Sequence, residues 1–497
     1  MAEPTIIRFD RILSSKVTPV MTAETLTETI SEEHVISVLE STSPIDGAGD
    51  EFSGERNPHD RWLPITESRN GSTLRAVFHL LCSGIGYQAL LLPIAFISLG
   101  WSWGIICLSL AFSWQLYTTW LLVNLHEPSP QTGIRCSRYL HLLIVSFGEK
   151  MAKLLGLFPT MYLSTGTCIV FIITGGNVME LLFETICDDD LDCIAKTLTG
   201  AQWFLLFMCI AVFAAQFFPN LNSLAVVSAI GSITAVSCCF LLWIMSVDKG
   251  RVHDHVKTDG DDDGSGFRDV LTGFAIIAAA FRGHNLVLEI QGTIPTSRKK
   301  RSRVSMWRGV IISYLLIAMC MYPIAIVGHW AYENKVYPNL GILTSFIKFH
   351  QKSTSKFVTG AICLTAIIHY LCAYQIYAMP AFDNFERIYV MKKNKACPRW
   401  VRSGIKVLFG GFTYFVSVAL PFLPSLGLFI GSLALPLTLV YPCMMWIAVK
   451  KPVRFSLMWC INVGLGFIGI VFCGVCAGGA LWSLIVDGLD ANFFKPK

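Results

Sequence analysis

The sequence predicts an all-α polytopic membrane protein, and three observations carry that prediction. Apolar residues make up 53% of the 497-residue chain. Charged residues make up only 15%, whereas a soluble domain carries roughly 25%. Beyond Leu74, apolar runs of about 20 residues, enough to cross a bilayer as a helix, recur through most of the chain. The net charge of +5 does not point to nucleic acid, because the basic residues cluster in short loops between apolar runs, where membrane orientation explains them. Most of the 17 cysteines, such as Cys238 and Cys239, lie in apolar segments and read as small apolar fillers without metal-ligand spacing.

Residues 1–70 are rich in Ser, Thr, Glu and Pro and poor in aromatics, so they are expected to be a disordered cytoplasmic tail that cannot bury enough surface to fold. No secretory signal stands near the start. Eleven candidate spans follow, at 74–98, 101–124, 156–179, 202–218, 223–247, 269–290, 309–330, 357–379, 404–419, 424–449 and 456–486. The expected transmembrane domain is 71–490, leaving 491–497 as a short extracellular C-terminus.

Orientation follows from the basic loops. Arg135, Arg138, Lys150 and Lys153, the run "SRKKRSR" at 297–303, Arg387 to Arg402, and Lys450, Lys451 and Arg454 all fall on one side. Two opposite loops carry the acidic runs "DDDLD" at 188–192 and "DGDDDG" at 259–264. Excess Lys and Arg mark the cytoplasmic face, which puts the N-terminus inside and the C-terminus outside. The "RNGS" sequon at 69–72 then lies on the wrong side for glycosylation, whereas Cys187 and Cys193 share an outward loop where either a disulfide or two thiols would be permitted.

Two spans are interrupted. The first holds Gly84 and Gly86 near its middle with Pro93 further on, and in the sixth Gly283 is followed at once by polar side chains. Because the two are five spans apart, the pattern predicts two inverted five-span repeats, about 74–247 and 269–449, with an extra helix at 456–486. At such breaks, freed backbone groups and half-helix dipoles can hold a substrate carboxylate and a coupling ion.

The stretch "AAFRGHNLVLEIQG" at 279–292 adds Arg282 and His284 beside the break, and Asn285 and Glu289 at i, i+4 on one face. Intramembrane ionisable groups mark substrate or proton paths by default. Each has a plainer alternative: Glu289 as a helix-end anchor, and His284 as a structural donor to a freed carbonyl. Arg282 cannot shed its charge and needs a partner. Thr365, His369 and Cys372 form a second polar stripe in span 8, while Tyr162 and Thr165 in span 3 serve either substrate contact or helix packing.

Four motifs, "GHNLVLEIQGTIP" at 283–295, "HYLCAYQIYAMPAFD" at 369–383, "FPNLNS" at 218–223 and "LLLPIAFISLGWSWG" at 90–104, go further. Together they resemble the plant lysine-histidine-transporter-like branch of the amino acid/auxin permease family, and the likeness spans nearly all of the chain after the tail. The resemblance implies eleven transmembrane helices on a LeuT-like 5+5 inverted repeat plus one helix, with helices 1 and 6 interrupted. It also implies amino acid transport with protons at the plasma membrane, no cofactor beyond the coupling proton, and no enzymatic chemistry. Gly84 and Gly86 match the span 1 break, and Gly283, His284, Asn285 and Glu289 the span 6 motif. The chain departs from better-known branch members at Arg282, Tyr87 and Gln88, as a divergent subgroup does. A fixed cation at Arg282 would disfavour basic substrates.

The resulting expectation is a secondary active symporter whose partners are an amino acid and the lipid bilayer. Backbone around Ser83, Gly84, Ile85 and Gly86 would hold the substrate carboxylate. Ala280, Phe281, Arg282, Gly283 and Tyr162 complete the binding set, and His284, Asn285, Glu289 and His369 are the proton-coupling candidates. The rivals are a sensor without appreciable flux, a channel, and a carrier of another small carboxylate such as auxin.

Overall fold

The computed structural model describes residues 58–128, 135–187, 198–252, 265–281, 283–297, 301–338, 340–420, 423–486 and 494. All regular structure among them is helical. Helix α1 (Thr73–Gly84) starts at Ser72, whose hydroxyl accepts the Arg75 N–H, and ends where Ile85 turns extended. Helix α2 (Tyr87–Leu125) is interrupted at Gly100, with φ +73° and ψ 171°, a conformation that favours glycine. A Cβ on Gly104 would lie 2.9 Å from the Phe96 ring. In a straight helix those residues would be about 12 Å apart, so the chain doubles back at Gly100.

Short helix α3 (Tyr139–Phe147) leads into α4 (Glu149–Met161), a π-helical turn at Tyr162–Gly166 and α5 (Thr167–Ile186). Then come α6 (Gly200–Gln216), which starts with a capping box between Thr199 and Gln202, and α7 (Ala225–Lys249). Helices α8 (Ser265–Ala280) and α9 (His284–Gly292) flank the second break and precede α10 (Ser302–Tyr332). The chain continues through α11 (Ile342–His350), α12 (Lys356–Lys393), α13 (Arg399–Ala419), α14 (Leu423–Ala434), α15 (Pro436–Leu439), α16 (Tyr441–Lys450) and α17 (Leu457–Val486).

Eight helical stretches among the described residues are long and apolar enough to cross a membrane, against the eleven expected. The difference has local causes. The first expected span is divided between the 12-residue α1 and the first arm of α2, and α6 has only 17 residues. Helix α13 opens with Arg399, Arg402 and Lys406. The Lys406 ammonium is not wasted there, since it donates to the carbonyls of Ala215 (2.8 Å) and Phe218 (3.0 Å) at the end of α6, where a cation suits the helix dipole.

Helix α1 packs against α7, α10 and α12, while α12 also covers α5, and α2 lies along α8 and α10. Small residues let these backbones approach: Gly175 and Gly176 of α5 sit against the rings of Phe207 and Phe204. Large apolar residues such as Leu154, Leu408 and Ile485 remain outside, each more than 70% exposed, as a lipid-facing surface requires.

The expected tail needs correction at its end. Residues 58–70 are packed: Leu63 and Ile65 are 2% and 1% exposed. The Leu221 N–H donates to the Pro64 carbonyl at 3.1 Å, and the Gly71 N–H to that of Thr293 at 2.9 Å. A polar average over 70 residues concealed a short apolar plug at Trp62, Leu63 and Ile65. Residues 1–57 lie outside the described residues, as do 491–493, 495–497, Cys193 and Arg282. Cys187, at the end of α5, is disulfide-bonded.

Gly231 tests the packing. A Cβ there would lie 2.5 Å from Cys82 Sγ and 2.6 Å from Cys372 Cβ, whereas at Gly360 the nearest atom would be Leu182 Cδ1 at 3.8 Å. Gly231→Ala is therefore expected to destabilise the protein by about 1–3 kcal/mol, read as a lower melting temperature in detergent. Gly360→Ala should leave that temperature unchanged or raise it, and equal behaviour of the two variants would contradict the packing.

Candidate functional site

Two chain breaks meet at the centre of the helical bundle. The first comprises Ile85 (φ −95°, ψ 103°) and Gly86 (φ −117°, ψ −176°) between α1 and α2. The second separates the end of α8 at Ala280 from the start of α9 at His284, and there Gly283 adopts φ +97° and ψ −1°. A Cβ on Gly283 would sit 3.2 Å from Ser83 Oγ, so glycine serves both the left-handed backbone and the close approach. The Tyr377 hydroxyl of α12 donates to the Ser83 carbonyl at 2.7 Å, satisfying one group freed by the break. The first N–H groups of α2 and α9 have no intrahelical acceptor, and they carry the positive ends of the half-helix dipoles.

Beside the second break lies a cavity lined by Tyr139, Thr160, Ser164, Asn285, Glu289 and Asp383, among others. Asn285 and Glu289 face it together, one turn apart on α9. The Asn285 amide donates to Ser164 Oγ at 3.3 Å, and the π-helical turn carries that serine. Glu289 is 5% exposed. Its Oε1 accepts a long bond from the Tyr139 N–H at 3.4 Å, and its Oε2, like the Asn285 carbonyl oxygen, has no partner among the described residues.

Asp383, at the cavity edge, is bound very differently. Arg138 donates to both its oxygens, at 2.6 and 3.2 Å, and the Ile65 N–H adds a third bond at 3.2 Å. Arg138 also reaches Asp60 at 3.2 Å. Burial alone would lower the Arg138 pKa, but the Asp383 and Asp60 carboxylates hold it above the ordinary arginine range. Nearby, burial pushes the His141 imidazole down to about 4, helped by Arg387 and Arg138, so it adds no charge at neutral pH. A second ion-pair set joins Arg402 to Glu386 at 2.7 Å and to Glu67 at 3.2 Å. The plug at 58–70 is thus pinned from two sides over the cavity, which Ile65 itself lines.

The expected residues therefore separate. Ser83, Gly84, Ile85 and Gly86 come together with Ala280, Phe281 and Gly283 around the facing breaks, all buried. Phe281 turns its ring edge to Phe112 of α2, with centroids 5.8 Å apart. His284 points away from the cavity, its Nε2 lying 3.0–3.1 Å from Thr119 Oγ1, Thr118 Oγ1 and the Gln115 carbonyl. His369 bonds the Gly231 carbonyl at 3.0 Å, so the span 8 stripe faces α7. Tyr162 stacks on Phe158 with centroids 6.2 Å apart. Sequence reasoning missed Ser164, Tyr377, Arg138 and Asp383 as members of this region. Asp383 ends one of the four motifs, which was the available signal, while Arg138 had been counted only for orientation.

The family model described as transmembrane amino acid transporter protein matches residues 69–486. The chain belongs to the amino acid/auxin permease family. Among members of this family it is similar to lysine histidine transporter-like 8 of Arabidopsis thaliana, 46% identical over 88% of this chain and 84% of that protein. It is also similar to lysine histidine transporter-like 7 of the same plant, 45% identical over 91% of this chain and 93% of that protein. Among solved structures, MhsT in complex with L-phenylalanine matches with a TM-score of 0.54 at 11% identity, covering 83% of this chain and 99% of that one. A Na+-coupled sialic acid symporter in its substrate-bound outward-open state matches with a TM-score of 0.52 at 11% identity, covering 93% and 97%. The permease is thus a multi-pass membrane protein with a LeuT-like fold and an amino acid transporter, not an enzyme.

The ion pair at the cavity edge gives a direct prediction. Removing one partner of a buried pair strands the other charge, at a cost of about 3–5 kcal/mol. Asp383→Asn and Arg138→Gln should each destabilise the purified permease by that order, and the double variant by clearly less than their sum. Strictly additive losses in thermal unfolding would show that the two side chains do not act on one another.

Proposed function

We propose that this permease is a proton-coupled symporter that carries amino acids into the cell across the plasma membrane. The proposed frame is eleven spans, a 5+5 inverted repeat plus one helix, with the N-terminus cytoplasmic and the C-terminus extracellular. Residues 71–490 would form the transporter domain. The basic loops support this orientation. The doubling back at Gly100 supports the number of spans, since it makes two of one long helical stretch.

The observation that carries the coupling proposal is Glu289: a buried carboxylate in the cavity below the breaks, with one oxygen unpartnered among the described residues. A charge in such a place is costly, and taking up a proton removes it. The cavity's Asn285 and Ser164 lie on the same side of α9. His284 and His369 each have one ring nitrogen engaged, by α2 and α7 respectively, and the other without a partner among the described residues, so they stand with Asn285 as further proton-coupling candidates behind Glu289. The substrate carboxylate is assigned to the backbone of Ser83–Gly86 and the facing break at Gly283, where half-helix N-termini favour an anion. Arg282, adjoining that break in sequence, is assigned a selecting role against basic amino acids.

Uptake of labelled amino acids at mildly acid and at neutral external pH tests the proposal. Wild-type uptake should saturate with substrate and rise at acid pH, and Glu289→Gln should lose that pH response. Uptake indifferent to pH in the wild type would refute proton coupling, while binding without accumulation would make the protein a sensor. Arg282→Ala should raise acceptance of lysine and arginine on the order of tenfold relative to neutral substrates, and an unchanged ratio would remove Arg282 from the selecting set.

A further inference from the structure

A second crevice, which shares no lining residue with the cavity beside the breaks, is lined by Asn124, Glu127, Arg301, Arg303, Trp446 and Lys450, with Val123 at its wall. Its charge is unbalanced. Arg301 and Arg303 flank the start of α10, both are exposed, and neither has a carboxylate partner among the described residues. Among the described residues Lys450 donates only to the Pro128 carbonyl, at 2.6 Å. The crevice's acid, Glu127, is already engaged: it accepts the Ser302 hydroxyl at 2.6 Å and lies 3.7 Å from Arg135. Three cations therefore converge without a matching anion.

The position of the crevice identifies what would supply one. Three membrane-crossing stretches end at it, Tyr87–Leu125, Ser302–Tyr332 and Phe429–Lys450, so it lies at the boundary between hydrocarbon and water. Trp446 packs on Trp120 with centroids 5.4 Å apart and lies 6.0 Å from the Lys450 ammonium. Tryptophan with flanking basic residues is the composition of the headgroup level, and arginine pairs with phosphate through a bidentate fork.

We propose that this crevice binds the phosphorylated headgroup of an anionic phospholipid, with Arg301, Arg303 and Lys450 as its ligands and Trp446 as the wall beside the acyl boundary. The bound headgroup would tie together the ends of α2, α10 and α16. A phosphoinositide fits best, because several phosphates match several cations. That it comes from the cytoplasmic leaflet rests on the orientation proposed above.

The test uses the full-length permease in phosphatidylcholine nanodiscs doped with a phosphatidylinositol phosphate, with retained lipid read by native mass spectrometry. Nanodiscs expose both faces, so a wrong orientation would not disturb the result. Wild type should retain the phosphoinositide selectively. Arg301→Gln with Arg303→Gln should weaken retention by roughly thirtyfold, at the usual worth of two basic residues near an anionic surface. Arg303→Lys, which keeps the charge, should preserve most of it. Lys392→Gln with Lys393→Gln, at the exposed end of α12, should change nothing, and all variants are required to elute as monodisperse protein. Unaltered retention in the arginine double variant would overturn the site. Equal loss in the lysine control would overturn it in favour of diffuse attraction, and displacement of the lipid by inorganic phosphate alone would overturn the lipid as ligand in favour of a soluble phosphate.

Discussion

Inside a bilayer a backbone carbonyl or amide that leaves its helix has no water to turn to, and each group left unsatisfied costs several kcal/mol. The centre of this permease is organised around two places where helices stop under that constraint. At Ser83 the freed carbonyl is met by the hydroxyl of Tyr377, so α12 must run close beside α1, and Phe171 of α5 fixes the tyrosine ring from behind, with centroids 5.9 Å apart. At the second break, a Cβ on Gly283 would crowd Ser83 Oγ, so the breaks can face one another only while that residue stays glycine. The scaffold helices are arranged to make two unfavourable interruptions tolerable, and the half-helix ends left over become the site's chemistry.

The same economy of polar groups separates two carboxylates that share one cavity. Asp383 receives a bidentate arginine and a backbone N–H, whereas Glu289 receives a long bond from the Tyr139 N–H and has one oxygen without a partner among the described residues. A carboxylate so fully matched serves as a fixed tie. A carboxylate so poorly matched changes its interaction with the protein greatly when it gains or loses a proton, and the proposal that Glu289 couples transport to protons rests on that difference. Environment, not residue type, divides the two roles.

How much of this was legible in the sequence differs from residue to residue. The breaks were legible because Gly84, Gly86 and Gly283 signal them locally. Helical spacing likewise put Asn285 and Glu289 on one face, and both line the cavity. Periodicity says which residues share a face but not which neighbour the face meets. The stripe at Thr365, His369 and Cys372 was expected to face the bundle interior, and the neighbour it meets there is α7, while His284 found its partners in Thr118 and Thr119 of α2, which carried no signal of their own. Arg138 and Asp383 are 245 positions apart, and only the folded chain joins them. The apolar plug before α1 was lost in the average composition of a long polar segment.

That plug and the ion pairs together give one end of the cavity a particular physical character. Ile65 lines the cavity with its side chain and bonds Asp383 with its backbone, so any movement that opens this end must part Arg138, Asp383 and the plug as a unit. An apolar seal loses all of its stabilisation when water enters. A buried ion pair loses less, because water admitted on opening solvates both partners and restores much of what burial had cost them. A closure built on charges around a small apolar plug is therefore firm while dry and inexpensive to part once wet, which suits a site that must be sealed and unsealed in every cycle of transport.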